Sequence, residues 1–329
     1  MVQNHVKSSP FLHDSETSYN LQIDLLIGVL SVMIIAVVQN GLRVLAICAV
    51  SAFSAWTAEM LGLMILKRRN GNDIRSIFFG IVIALFCPVT VSLWLPALAS
   101  AVSVLFVRVI IGKNYKTLFM TPVIGWMFML SIAPRQMTTY PALRMFGAYP
   151  IVENAEFFDS TESIAQLLQY KQTPDYSFSN ILIGNVAGSM GTTCIVAILA
   201  VCIYFVFRKS IAWQVSLSMI VTVAVFAAFI DRTGSGPLLS IVYELTATSY
   251  IFVAVFVAGD IINAPMLTSA KIVFGVLIGV TTMILRYYGF AEHCVVIALL
   301  TVNLLTELLD LIALKVQIRT VRKKLTRKI

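Results

Sequence analysis

Ten runs of apolar residues, separated by short polar stretches, limit what this chain can fold into more than any other feature. They fall near 22–38, 43–66, 75–90, 92–112, 117–133, 190–207, 211–230, 238–258, 270–287 and 293–314. A hydrocarbon layer about 30 Å thick takes about 20 helical residues. Most of these runs can therefore cross it, and the shorter ones do so with partial or broken geometry. In lipid every backbone N–H and C=O must be satisfied within its own segment, and runs that are continuous rather than alternating exclude a β-barrel. The expected fold is all-α, a polytopic membrane protein with about ten transmembrane helices. Only 12% of residues are charged, against about 25% in an ordinary soluble domain. Residues 1–20 are polar, so the first run reads as a retained helix rather than a secretory signal.

Charge supplies an independent test, because hydropathy alone defines the runs. With both termini cytoplasmic, seventeen Lys/Arg fall on the inner side, six on the outer side, and Arg108 within a run. That asymmetry is the positive-inside rule. Seven of the inner cations lie between Lys315 and Lys328, directly behind the last apolar run. This tail, and the net charge of +8, point to anionic lipid on the cytoplasmic face of an inner membrane and not to nucleic acid.

Five runs precede a long connection and five follow it. The two sets would enter the membrane in opposite senses, which is the arithmetic of two inverted five-helix repeats. The expected organisation is a first repeat over 1–133, an extracytoplasmic loop over 134–189, a second repeat over 190–314 and a basic tail over 315–329. The loop carries Glu153, Glu156, Asp159, Glu162 and Asp175. It is long enough to hold chemistry of its own. Cys87-Pro88-Val89-Thr90 in the first half falls 177 residues before Ala264-Pro265 in the second. Matching prolines suggest two broken helices whose freed backbone groups line a cavity; the general frequency of Pro in membrane helices is the competing account.

Ionisable groups inside apolar runs are costly, about 2.5–3.5 kcal/mol each on insertion scales, and call for a functional reading. Glu59 stands among Trp56, Met60 and Leu61 as an ion or proton site or as the partner of Arg108. Glu244 lies early in the eighth run. Glu307 and Asp310 share one helix face, where they could share a cation, snorkel, or pair with Lys315 and the tail. Gly184, Gly188 and Gly191 lack the Lys-Ser/Thr of a phosphate loop and fit close helix packing better. The five cysteines read as buried, inert thiols. His5, His13 and His293 are too far apart to argue for a metal, the four tryptophans fit interface or bundle packing, and no nucleophile–base constellation is present.

Several stretches, spread along nearly the whole chain, carry a family resemblance. They are Ser8-Ser9-Pro10 with Thr17-Ser18; Leu182-Ile183-Gly184-Asn185-Val186-Ala187-Gly188-Ser189-Met190-Gly191-Thr192-Thr193; Arg208-Lys209-Ser210-Ile211-Ala212-Trp213; Lys271-Ile272-Val273-Phe274-Gly275; and Leu285-Arg286-Tyr287-Tyr288-Gly289. Together they resemble the D-type subunit of the Rnf electron-transport complex and its relative, the B-type subunit of the sodium-translocating NADH:quinone oxidoreductase. Gly259-Asp260-Ile261 and Ala291-Glu292-His293 stand where that family has Thr-Asp-Pro and Pro-Asp-Gly. The resemblance implies ten helices in two inverted halves, and a membrane component that passes electrons through flavin in an ion-translocating complex with further membrane and soluble subunits. It implies FMN, with riboflavin as a second flavin. The FMN would be esterified to a threonine in a motif like Ser-Gly-Ala-Thr, here Phe158-Asp159-Ser160-Thr161, and Gly184, Asn185 and Gly188 would be near the cofactor. One residue out of register, Glu162 would take the acceptor place. Read from the residues alone, Asp159, Ser160 and Thr161 are equally good caps for a loop helix. Two rivals remain: a cofactor-free solute or ion transporter, and a non-catalytic scaffold on the same fold.

Overall fold

The computed structural model describes residues 18–67, 74–111, 119–141, 160–290 and 292–326. Ser8-Ser9-Pro10, Lys113, Lys116, Glu153, Glu156, Asp159, His5 and His13 lie outside these segments. In the first half come α1 (Ser18–Asn40), α2 (Leu42–Ile65), α3 (Arg75–Leu85), α4 (Trp94–Val104) continuing as a π-helical turn over Leu105–Ile111, and α5 (Thr121–Ile132). The connection holds α6 (Pro134–Thr138), β1 (Tyr140–Pro141), β2 (Ser160–Thr161), α7 (Ile164–Gln169) and α8 (Phe178–Ile183). The second half holds α9 (Ile195–Arg208), α10 (Trp213–Phe229), α11 (Pro237–Thr246), α12 (Tyr250–Phe252) continuing as a π-helical turn over Val253–Val257, α13 (Thr268–Tyr287), α14 (Cys294–Asn303) and α15 (Thr306–Thr326).

Four helices are each long and apolar enough to cross a membrane: Tyr19–Asn40, Leu42–Ile65, Trp94–Ile111 and Thr268–Tyr287. Two bent pairs meet the same test together, Pro237–Thr246 with Tyr250–Val257 at 65° and Cys294–Asn303 with Thr306–Arg319 at 54°. Arg75–Leu85, Thr121–Ile132, Ile195–Arg208 and Trp213–Phe229 are shorter apolar helices. Every apolar run read from the sequence is thus occupied by one helix or one bent pair. Large side chains such as Met64, Ile65, Phe207 and Phe229 face outward, as they do where the solvent is lipid. The chain is a helical, multi-pass membrane protein.

Within each half the second helix is the packing centre. α2 lies against α3 and α4, α10 lies against α11 and α13, and α1 meets α9 across the halves. Small residues allow the close crossings. A Cβ on Gly80 would come within 2.7 Å of the Ala52 Cα, so α2 and α3 touch backbone to backbone, and Ser51 Oγ donates to the Gly80 carbonyl at 2.7 Å. A single residue, Gly41 at φ 85°, joins α1 to α2, a conformation that glycine adopts without steric cost.

The third run does not form a full span. α3 stops at Leu85 because Pro88 has no N–H and disfavours helix at Cys87. Its freed carbonyls are met from outside the helix. Met190 N donates to the Cys87 carbonyl and Gly191 N to that of Leu85, both at 3.0 Å. The buried Arg43 guanidinium donates to the Val89 and Val91 carbonyls at 2.6 and 3.0 Å. The eighth run breaks at Ala247-Thr248-Ser249, before rather than at Ala264-Pro265, and Thr248 sits at φ 53°. There the buried Arg286 guanidinium donates to the Glu244 and Ala247 carbonyls at 2.6 and 3.0 Å. Two arginines that the charge pattern places beyond the ends of spans are therefore interior clamps, one on each break.

Candidate functional site

The connection between the halves forms a lid held to both of them. Ser163 caps α7 by a reciprocal box, accepting from Gln166 N at 3.2 Å while Gln166 Oε1 accepts from Ser163 N at 3.0 Å. This is the S-x-x-Q signature, and it replaces Asp159, Ser160 and Thr161 as the caps expected from sequence. Gln166 Nε2 donates to the Thr138 carbonyl and Gln169 Nε2 to that of Gly289, so one helix face is tied to α6 and to the α13–α14 turn, while Ser92 of the first half donates from N and Oγ to Gln136 Oε1 of α6 at 3.3 and 3.1 Å. Thr161 lies in β2, paired antiparallel with Tyr140 of β1, and is half-buried.

Beneath this lid is a cleft lined by Tyr140, Ser163, Gly188, Ser189, Thr248 and Glu292 among others. It has room for about one water molecule. Glu292 is the acceptor at its centre. Tyr140 donates to it at 3.0 Å, and Ser163 Oγ donates to its other oxygen. Burial pushes the Glu292 carboxyl above the ordinary carboxylate range, against the opposing pull of the Ser163 and Tyr140 hydrogen bonds. Burial, and then the carboxylate beside it, push the Tyr140 phenol well up. Next to the cleft, Glu244 receives two arginines: Arg232 Nε at 2.7 Å and Nη2 at 2.6 Å, and Arg286 Nη1 at 2.7 Å. Arg286 Nη2 reaches the Thr248 hydroxyl at 2.9 Å, which joins this ion cluster to the cleft wall.

Residues singled out in the sequence fall in several places. Gly188 lines the cleft. Gly184, at φ 90°, ends α8, and a Cβ there would come within 2.6 Å of Cys194 N. Asn185 N bonds back to the Asn180 carbonyl at 2.8 Å, so this pair serves the chain turn. Glu59 and Arg108 form a buried ion pair at 2.9 Å between α2 and the π-helical turn, with the guanidinium over the Phe79 ring. Glu307 is exposed, while Asp310 accepts from Met266 N and Leu267 N at 2.9 and 3.4 Å and so caps the start of α13. Two further ion pairs bridge the halves, each with one member in a stretch quoted for the family resemblance and a partner that no motif announced: Asp260 with Arg75, and Arg208 of α9 with Asp24 of α1 at 3.1 Å. Glu292 stands where the family has the Asp of Pro-Asp-Gly, but nothing local joined it to Tyr140, since their meeting joins positions 152 apart in the chain.

The profile of the NQR2, RnfD, RnfE family matches residues 5–319. The chain belongs to that family. It is 22% identical over 334 residues to the D-type subunit of the ion-translocating oxidoreductase complex of Haemophilus ducreyi, covering 92% of this chain and 95% of that one. It is 23% identical over 310 residues to the D-type subunit of the Na(+)-translocating ferredoxin:NAD(+) oxidoreductase complex of Acetobacterium woodii, covering 93% and 92%. With the B-type subunit of the Na(+)-translocating NADH-quinone reductase of Chromohalobacter salexigens it shares 26% over 252 residues, 74% of this chain and 59% of the relative. These relatives are named as subunits of ion-translocating or sodium-translocating oxidoreductase complexes.

Neither of the two cavities under the lid takes an isoalloxazine ring, because each admits about one water molecule. What fits a flavin here is Thr161, a half-buried residue of the lid whose side chain is a hydroxyl, the group a phosphoester needs.

Proposed function

We propose that this chain is the D-type subunit of a bacterial inner-membrane, ion-translocating electron-transport complex and carries FMN esterified to Thr161. The observation that carries the reading is the position of Thr161: it is a half-buried residue of the lid, and its backbone pairs with Tyr140, which bonds to Glu292. When bound, the flavin supplies the redox chemistry. The protein's part is to hold it on a lid fixed to both halves. Riboflavin would be a second, non-covalent group. Partner membrane and soluble subunits would supply the iron–sulfur and nicotinamide chemistry.

The reading includes ten spans in two inverted repeats, over 1–133 and 190–314, flanking an outer loop over 134–189 and a cytoplasmic tail over 315–329. Three features support it. The second element of each half packs on the third and fourth, the third is broken in each, and a buried arginine satisfies each break. The inner-side excess of Lys/Arg supports cytoplasmic termini, and the basic tail behind α15 would meet anionic lipid.

The test is in-gel flavin fluorescence of the denatured protein expressed beside a flavin transferase. A fluorescent band in wild type that is lost in Thr161→Val is expected. No band in either would remove the covalent flavin and decide for a cofactor-free transporter or scaffold, which the narrow cleft favours.

A further inference from the structure

The cleft under the lid is one of two adjoining cavities, and they share five residues: Tyr140, Ser189, Thr248, Ser249 and Glu292. Outside this collar the wall mixes the hydroxyls of Ser163, Thr192, Thr193 and Thr246 with apolar side chains such as Ile164, Ile181 and Val186. Inside, it is dominated by apolar side chains, including Phe86, Trp126, Val253 and Val296, and it reaches the end of α3 and the π-helical turn after α12. Five residues with side-chain oxygens, one of them a carboxylate, thus form the junction of two cavities between two broken helices.

We propose that Glu292, with the hydroxyls of Tyr140, Ser163, Ser189, Thr248 and Ser249, is the outer loading site for a single monovalent cation, Na+ or a proton. The assignment rests on the reading of the chain as part of an ion-translocating complex, and it gives that activity a place.

The chemistry of the collar selects the class of ion. All its donors are oxygens, which suits hard cations, and a single carboxylate suits a single charge. Among the described residues no group of three or more His, Cys, Asp or Glu is placed to hold a metal ion. Charge balance sets how tightly the ion is held. Arg232, Glu244 and Arg286 together carry one surplus positive charge beside Thr248, and ionised Glu292 offsets it. An incoming cation restores that surplus, so it is bound loosely, as an ion that must leave again has to be. The raised position of the Glu292 carboxyl suits a proton as the occupant. The titratable and charged groups facing it are Tyr140 from β1, Arg286 from α13 with Glu244 and Arg232 behind it, and His293 and Cys294 at the start of α14.

The experiment follows the unfolding midpoint of the purified chain as NaCl replaces choline chloride at constant ionic strength, and separately as pH is varied without Na+. A Na+-dependent rise in wild type that vanishes in Glu292→Gln identifies Na+. A fall with rising pH in wild type that is flat in Glu292→Gln, with no Na+ effect, identifies the proton. Wild type and Glu292→Gln responding alike in both series would overturn the site. Should Glu292→Gln not fold, Ser249→Ala must raise the half-saturating Na+ at least threefold, or Tyr140→Phe must move the pH midpoint; neither change overturns the site. In vesicles holding the complex purified with its own subunits, Glu292→Gln should lower cation uptake per electron transferred at least tenfold, and an unchanged ratio sinks the proposal. A wild-type preparation with no partner subunits and no electron transfer would instead fault the reading on which the site rests.

Discussion

Replacing Arg286 by Met tests the idea that a guanidinium, rather than a proline or glycine, holds the bend between α11 and α12. The substitution removes two charge-assisted or carbonyl bonds to Glu244, one bond to the Ala247 carbonyl and one to the Thr248 hydroxyl. Glu244 keeps Arg232, so the carboxylate is not left alone, but the Ala247 carbonyl loses its donor in a buried setting. Breaking one partner of a buried ion pair costs about 3–5 kcal/mol, and each orphaned buried acceptor about 1–3 kcal/mol. These overlap, so the expected loss is about 4 kcal/mol, roughly a thousandfold in the folded-to-unfolded ratio. Arg286→Lys keeps the charge but not the planar fork, and should recover about half of it. The assay is equilibrium unfolding in mixed micelles titrated with sodium dodecyl sulfate, read by tryptophan fluorescence. A loss below about 1 kcal/mol for the Met variant, or full recovery by Lys, would refute the clamp.

Arg43→Met should cost about 2–4 kcal/mol in the same assay, from two orphaned carbonyls at Val89 and Val91. Gly80→Val forces side-chain atoms into the Ala52 backbone and should lower stability by about 1–3 kcal/mol or more, seen as loss of the monodisperse peak on size exclusion. Ser163→Ala removes the cap of α7 and a donor to Glu292, costing about 1 kcal/mol for the cap alone, and should speed proteolysis of the lid. Because the Glu292 carboxyl lies above its usual value of 4.5, between 4.5 and the higher folded value the folded state holds a proton that the unfolded state has lost. Stability contributed by this group is therefore complete below 4.5 and falls as pH rises through the folded value. Midpoints measured across that window should flatten in Glu292→Gln.

Much of the architecture could be read from the sequence because hydrocarbon leaves few choices: ten apolar runs became ten helices or bent pairs, and two lone charges, Glu59 and Arg108, found each other. The break at Cys87-Pro88 announced itself through proline chemistry. The break at Thr248 did not, since its residues, Ala247, Thr248 and Ser249, include neither Gly nor Pro and the bend depends on an arginine on another helix. Arg43 and Arg286 looked like end-of-span charges because linear position says nothing about depth. The capping box of Ser163 and Gln166 was visible in the pattern S-x-x-Q, three residues from the place where a cap was sought at Ser160. The assembly around Glu292 could not have been read, because Tyr140, Ser163, Ser189, Thr248 and Glu292 come from five separate stretches that only the closed lid brings together.

The clamp on the second break also sets two kinds of response side by side. A guanidinium stays charged at any pH a cell meets, so the bend it secures behaves as permanent framework. The carboxyl a few residues further along, at Glu292, is a titratable group that burial pushes above the ordinary carboxylate range. With Glu292 as the proposed loading site, a fixed anchor stands next to a titratable latch, and the helices that frame the lid keep their shape whichever way the latch is charged.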